Sequence, residues 1–278
     1  MKNPYIPETA LIKDIRAESY EAKTFTISLK KKQLFNYECG QFVELSLFGH
    51  GEFPASVSEV IKPKEGVFQI TVRELGKATR RLMELPVNSV IGVRGPFGNG
   101  FPVEKMEKRN ILLVAGGMGL SPLKYVVMYL LRNRNKYGEV KLLYGAMSPD
   151  RLLFKNTLSS WKNTGERDRS LEVLLTVDTP DNGWQWRVGR VTEMIDDIKL
   201  APSSTSAIIC GPSLMMKATT TKLLDKGFGQ DQIYMSFERR MQCGMGMCGH
   251  CMMGWKRVCL EGPVFTFKEV EDTLERLF

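Results

Sequence analysis

The stretch 239–259, "RRMQCGMGMCGHCMMGWKRVC", holds four of the chain's six cysteines. Cys243, Cys248 and Cys251 are spaced C-x4-C-x2-C, and Cys259 follows after seven more residues. Thiols this close can hold an iron–sulfur cluster, bind zinc, or stay free. Structural zinc sites usually draw two tight cysteine pairs from separate knuckles. The spacing here is the plant-type [2Fe–2S] pattern. Gly244, Gly246 and Gly249 give the backbone the freedom to turn amides toward inorganic sulfide. His250 reads as a surface residue, since a fifth ligand is unnecessary. Such a cluster moves one electron at a time, so the rest of the chain should carry a donor or an acceptor.

Two further sets of residues suit phosphorylated ligands. "VAGGMGLSP" (114–122) closes a strand and opens a helix, with Gly116, Gly117, Gly119 and Pro122 at the turn. Glycines let a ligand's phosphates approach the backbone, and a helix N-terminus attracts their charge. "ICGPSLM" (209–215) is a second strand end, where Cys210, Gly211 and Pro212 are expected on an exposed turn. The plain alternative for Cys210, and the reading adopted for Cys39, is a small buried hydrophobe. Nearer the start, "GEFPASVSE" (51–59) and "VRELGKATRRL" (72–82) stand out. In the latter Gly76, Lys77 and Thr79 sit where a strand gives way to a helix, a natural pyrophosphate seat. Ordinary turn and cap chemistry would also explain each stretch taken singly.

The elements that must position these residues differ along the chain. Runs 24–29, 41–48, 67–75 and 90–95 read as strands, so residues 8–103 suggest a small barrel or sandwich with one helix at 77–85. From 108 apolar strands "NILLVAGG", "EVKLLYGAM", "LEVLLTVD" and "TSAIICGP" alternate with helices, which predicts a doubly wound parallel sheet. A strand "IYMSFE", the cysteine loop and a short tail complete the chain. The expected division is 1–105, 106–230 and 231–278.

The apolar stretch 111–131 is broken by glycines, Ser121, Pro122 and Lys124, so no membrane span is expected. Residues 1–15 lack the pattern of a signal peptide. Clustered thiols without an export signal point to a reducing compartment, hence the cytoplasm. The net charge of +8 is scattered, with only a short lysine run at 30–32, and reads as a solvated surface. With only His50 and His250, a histidine-based hydrolase is not expected. The competing reading is a zinc-knuckle protein using its positive charge on nucleic acid. No aromatic-basic patch supports it.

The order of the pieces resembles the ferredoxin–NADP⁺ reductase-like flavoproteins with a C-terminal [2Fe–2S] domain, over essentially the whole chain. "GEFPASVS", "VRGPFGNGFPVEKME", "AGGMGLSPL" and "ERRMQCGMGMCGHC" are similar to the gamma subunits of cytosolic nickel–iron sulfhydrogenases and the B subunit of anaerobic sulfite reductase. The electron-transfer subunit of dihydroorotate dehydrogenase is a more distant relative. The resemblance implies an antiparallel β-barrel for FAD, an α/β domain for NAD(P), and a small cluster domain. It implies an isoalloxazine along Pro54, Ala55, Ser56 and Val57, and a pyrophosphate near Val72, Arg73, Gly76, Lys77 and Thr79. NAD(P) would lie at Gly116, Gly117, Gly119 and Pro122, with Gly211 and Pro212 under the nicotinamide and Cys210 beside hydride transfer. Many relatives hold the FAD phosphates with an arginine where this chain has Phe53, which leaves Arg73, Lys77 and Arg80 as candidates. Asp150 and Arg151 fall near the expected ribose, with opposite implications for NADH and NADPH. A nicotinamide delivers a hydride, a cluster takes single electrons, and a flavin converts between them. The chain would then be one subunit of a larger redox complex, partnered by iron–sulfur or catalytic subunits such as those of a hydrogenase or sulfite reductase.

Overall fold

The computed structural model describes residues 3–168 and 171–274; the last four positions of the expected 231–278 segment lie outside them. Six strands close an antiparallel barrel: β1 (Glu8–Ala17), β2 (Ala22–Leu29), β3 (Phe42–Leu47), β4 (Gly51–Lys62), β5 (Val67–Arg73) and β6 (Val90–Phe97), in the order β1-β2-β5-β4-β3-β6. Alternating side chains fill it, with Phe25, Ile27, Leu45, Phe68, Ile70 and Ile91 fully buried. A polar thread also runs through the wall. The Thr24 and Thr71 hydroxyls are 2.8 Å apart, and Thr71 donates to Ser58. β1 was missed as a strand, since Lys13, Asp14 and Arg16 break its alternation and its register slips between Ile12 and Asp14. The helix α1 (Lys77–Glu84) follows β5 as expected.

β3 departs from the half-buried pattern of a barrel strand, because all six of its residues are buried. Its second face is covered by the cysteine loop: a Cβ built on Gly244 would lie 3.0 Å from Glu44 Cγ and from the Phe97 ring.

A seven-stranded sheet makes the other half. Its strands are β7 (Asn110–Gly116), β8 (Val140–Ala146), β9 (Glu172–Val177), β10 (Arg187–Val188), β11 (Thr205–Cys210), β12 (Ile233–Ser236) and, after the ribbon β13 (Met252–Met253) and β14 (Lys256–Arg257), β15 (Val264–Thr266). The order is β10-β9-β8-β7-β11-β12-β15, parallel from β10 to β12. Helices α2 (Leu120–Arg132), α3 (Lys155–Asp168) and α4 (Ser213–Asp225) alternate with these strands. Short helices α5 (Val258–Glu261) and α6 (Phe267–Leu274) flank β15. Strand order reverses between β7 and β11, where open α/β sheets take their ligands.

By contacts the chain gathers into two compact units: Met1–Gly100 with Phe237–Val264, and Phe101–Ser236 with the remaining C-terminal residues. The four cysteines of the loop therefore belong to the barrel's unit. No helix among the described residues is long and apolar enough to cross a membrane.

Candidate functional site: a thiol loop on the barrel and a glycine cradle in the sheet

The cysteines of 243–259 fall into two pairs. Cys248 is tied to Cys243 by its N–H, which donates to Cys243 Sγ, and Cys251 Sγ lies 3.3 Å from Cys259 Sγ. Backbone amides converge on them. Met245, Met247 and Cys248 N–H donate to Cys243 Sγ, and Gly246 N–H donates to Cys259 Sγ at 3.0 Å. Gly244, Gly246 and Gly249 all have positive φ, which the loop needs to bring so many amides inward. Burial and the neighbouring Cys251 push the Cys259 thiol up to about 12. A thiolate pair at that depth calls for a cationic centre. The N–H of His250 holds the exposed Cys248 below the usual thiol range. Among the described residues no three His, Cys, Asp or Glu side chains close around a single ion. Two pairs suit a two-iron cluster, with two thiolates per iron, better than one tetrahedral zinc. His250 is exposed, as expected of a surface residue.

The loop's apolar side chains divide. Met253 is fully buried, whereas Met247 is 74% and Trp255 63% exposed. A cleft of about 350 Å³ opens beside Cys243, Met247 and Cys248.

The expected flavin segment lies along β4. Ala55 and Val57 are buried and offer only backbone, while Pro54 and Ser56 are half-buried. At the end of β5 the Arg73 Nε is buried without a hydrogen-bond partner among the described residues, and its Nη1 is 3.9 Å from Glu21. A guanidinium with an unsatisfied N–H fits an anionic ligand that completes its bonding. Thr79 is used locally: its hydroxyl accepts from the N–H of Leu75 and Gly76 at 2.8 and 2.9 Å and so shapes the turn. Gly76 has open space around it, and Lys77 is exposed at the start of α1. Val72 is buried. Arg80 is committed to Glu74 at 2.8 Å.

In the sheet, the glycines at the ends of β7 and β11 form a cradle. A Cβ on Gly119 would lie 2.1 Å from the Cys210 carbonyl oxygen, and one on Gly116 would lie 2.4 Å from Met215 Sδ. A Cβ on Gly211 would meet Met215 Cε at 2.7 Å. Gly117 has φ +52 and open space beside it. Pro122 is buried in the first turn of α2, and Pro212 precedes α4. Cys210 is 4% exposed rather than exposed, because its strand runs centrally between β7 and β12. After β8, Asp150 accepts from Ser148 Oγ, which lowers its pKa, and Arg151 rests on Met147 Sδ.

The sequence reading assigned no role to Glu44, Glu52 or Arg94, which cluster beneath the cysteine loop. Arg94 donates to the Cys243 carbonyl at 2.8 Å and to Glu52 through two nitrogens. Glu44 is fully buried, neither of its oxygens has a hydrogen-bond partner among the described residues, and burial pushes it up to about 8. The available signal was a charged residue inside an apolar strand, in "FVELSL" and "VIGVRG".

Comparisons with known proteins agree with this arrangement. Residues 113–221 match the oxidoreductase NAD-binding domain, and 238–271 match the iron–sulfur cluster binding domain of dihydroorotate dehydrogenase B. The chain is 34% identical over 286 residues to sulfhydrogenase 2 subunit gamma of Pyrococcus furiosus, covering 98% of each. It is 34% identical over 231 residues to a probable dihydroorotate dehydrogenase B (NAD(+)) electron transfer subunit of Thermoplasma volcanium, covering 83% of this chain and 79% of that one. The solved structure of an NADH-dependent reduced ferredoxin-NADP oxidoreductase, described for flavin-based electron bifurcation, superposes with a TM-score of 0.76 at 26% identity, covering 100% of this chain and 94% of that one. None of this supports a zinc knuckle on nucleic acid. The chain belongs to the ferredoxin–NADP⁺ reductase-like flavoproteins with a C-terminal iron–sulfur domain, and is an NAD(P)H-dependent flavin/iron–sulfur oxidoreductase of the group that holds the sulfhydrogenase gamma and dihydroorotate dehydrogenase electron-transfer subunits.

Proposed function

We propose that the chain relays electrons between NAD(P)H and a partner redox enzyme in the cytoplasm, through FAD on residues 1–105, a nicotinamide site on 106–230 and a [2Fe–2S] cluster on 231–278. The partner is the catalytic or iron–sulfur part of a hydrogenase or sulfite reductase complex. The relatives' description as subunits supports this reading. One observation carries it. Glu44 pairs with Pro54 across β3 and β4, and Gly244 packs on Glu44, so the cysteine loop lies against the strand pair that bears the expected flavin face.

When bound, FAD supplies the exchange between a two-electron hydride and single electrons, and the cluster supplies a one-electron carrier. The chain's own residues bind and orient. Arg73 offers its unpaired Nε to a phosphate, with Lys77 and the Gly76–Thr79 turn beside it. Pro54, Ala55, Ser56 and Val57 form the flavin's backing. Gly116, Gly117, Gly119 and Pro122 would admit the dinucleotide close to the backbone, and Gly211, Pro212 and Cys210 would hold its nicotinamide end. Cys243, Cys248, Cys251 and Cys259 are the iron ligands. Met247, beside Cys248, and Trp255 in the same loop are exposed and suit a surface that a partner covers.

The test uses the chain alone, purified anaerobically. It should hold one FAD, two irons and two acid-labile sulfides, and should reduce an artificial dye with NADH or NADPH. It should neither evolve hydrogen nor reduce sulfite. Turnover of a physiological terminal substrate by the single chain would overturn the subunit reading, and stoichiometric zinc without iron would overturn the cluster.

A further inference from the structure

Arg94 stands in the wall of the barrel with its N–H groups committed. Its side chain is 3% exposed. Nε and Nη2 donate to the two carboxylate oxygens of Glu52 at 2.9 and 2.7 Å, and Ser46 donates to the same carboxylate. Nη1 donates to the carbonyl of Cys243 at 2.8 Å, and Nη2 reaches that of Gln242 at 3.4 Å. The Phe97 ring lies 5.6 Å from the guanidinium carbon. Burying the guanidinium costs desolvation free energy that the part-exposed Glu52 offsets only in part, and apolar residues of similar volume often pack as stably as such pairs. The pair's value lies in what it holds and in the field it makes.

We propose that Arg94 is a positioning residue for the cluster: it clamps the carbonyls of Gln242 and Cys243 onto the barrel, and its fixed positive charge favours cluster reduction. The inference rests on the assignment of the cluster to Cys243, Cys248, Cys251 and Cys259. One-electron reduction of the cluster by flavin would add one negative charge at the thiolate site. No bond to Arg94 forms or breaks and no proton moves. A permanent cation in a medium of low dielectric constant favours the more negative state. Glu52 sets the orientation of the guanidinium and tempers its field.

The experiment is an EPR-monitored redox titration of the anaerobically prepared holoprotein, with iron content measured on each sample. Arg94→Met combined with Glu52→Gln removes the cation without leaving its carboxylate partner charged and unpaired. Compared with Glu52→Gln alone, it should lower the equilibrium constant for one-electron reduction at least about tenfold, which is about 59 mV for a one-electron couple. Arg94→Lys keeps the charge and loses the fork, so the potential should stay near that of the wild type while the EPR g-values shift. Glu52→Gln leaves Arg94 its charge with a neutral partner and should raise the potential. A double variant with full iron and the same potential as Glu52→Gln overturns the proposal. Should that variant not fold, an unchanged or lowered potential in Glu52→Gln overturns it instead. A wild-type chain without a [2Fe–2S] signal would remove the cluster assignment itself. That outcome is distinct from a normal cluster indifferent to Arg94.

Discussion

Gly119 lies so close to Cys210 that any side chain would meet the backbone: its Cβ would stand 2.1 Å from the Cys210 carbonyl oxygen. Backbone cannot turn aside as a side-chain tip can. Gly119→Ala should therefore cost at least about 3 kcal/mol, at the upper end of overpacking effects. Gly117→Ala meets open space and only the strain of φ +52, about 1–2 kcal/mol. Urea unfolding of the two variants checks the order, and equal losses would mean that the backbone at Gly119 can shift.

Arg73 should anchor the FAD phosphates, since its buried Nε has no hydrogen-bond partner among the described residues. A charge-assisted hydrogen bond is worth about 1.5–3 kcal/mol. Arg73→Ala should weaken FAD retention roughly ten- to a hundredfold. Lys77→Ala should act in the same direction. Arg80→Ala should leave retention unchanged, because Arg80 is paired with Glu74. Dissociation constants from flavin fluorescence decide among the three.

Serine in place of any one of Cys243, Cys248, Cys251 or Cys259 should abolish the [2Fe–2S] spectrum, because an iron with an open position is lost to water. Serine at Cys39, buried in the barrel's unit well away in sequence, should leave the spectrum intact. Iron analysis and visible spectra of the five variants test the assignment.

Glu44 should make the chain less stable as pH rises. Burial is the main cause of its raised pKa; Arg94 opposes the shift, and Glu52 and Cys243 add to it. The folded state then holds a proton that the unfolded chain releases near 4.5, so stability is lost between there and about 8. The loss is on the order of 3 kcal/mol by neutral pH. Glu44→Gln should flatten this slope and make the metal-free chain the more stable one at pH 8. Denaturant midpoints across pH 5–8 measure it, and parallel slopes would refute it.

Cys210 should support hydride transfer from its place at the end of β11. Cys210→Ala should slow flavin reduction by NAD(P)H and leave iron content intact. Stopped-flow rates equal to the wild type would return Cys210, buried as it is, to packing.

The cysteine spacing and the glycine turns were legible in the sequence because their requirements are local. Thiols must fall at fixed intervals along one loop, and a turn that admits phosphate or abuts another strand tolerates no Cβ. Most strands and the alternation of the parallel sheet were legible for the same reason, since side-chain period is a property of neighbours. β1 was not, because charges on its outer positions hide the period. What only the tertiary structure decided concerns contacts between distant parts of the chain. Arg94 and Cys243 are 149 positions apart, and nothing near "VIGVRG" announces that a later loop will bury its arginine. Glu44 reads as an outward barrel residue until Gly244 covers it. The burial of Cys210 follows from its strand lying in the middle of the sheet, and the unpaired Nε of Arg73 follows from what folding leaves beside it. Sequence period records which side of a strand a residue faces; only the fold determines what comes to lie on that side.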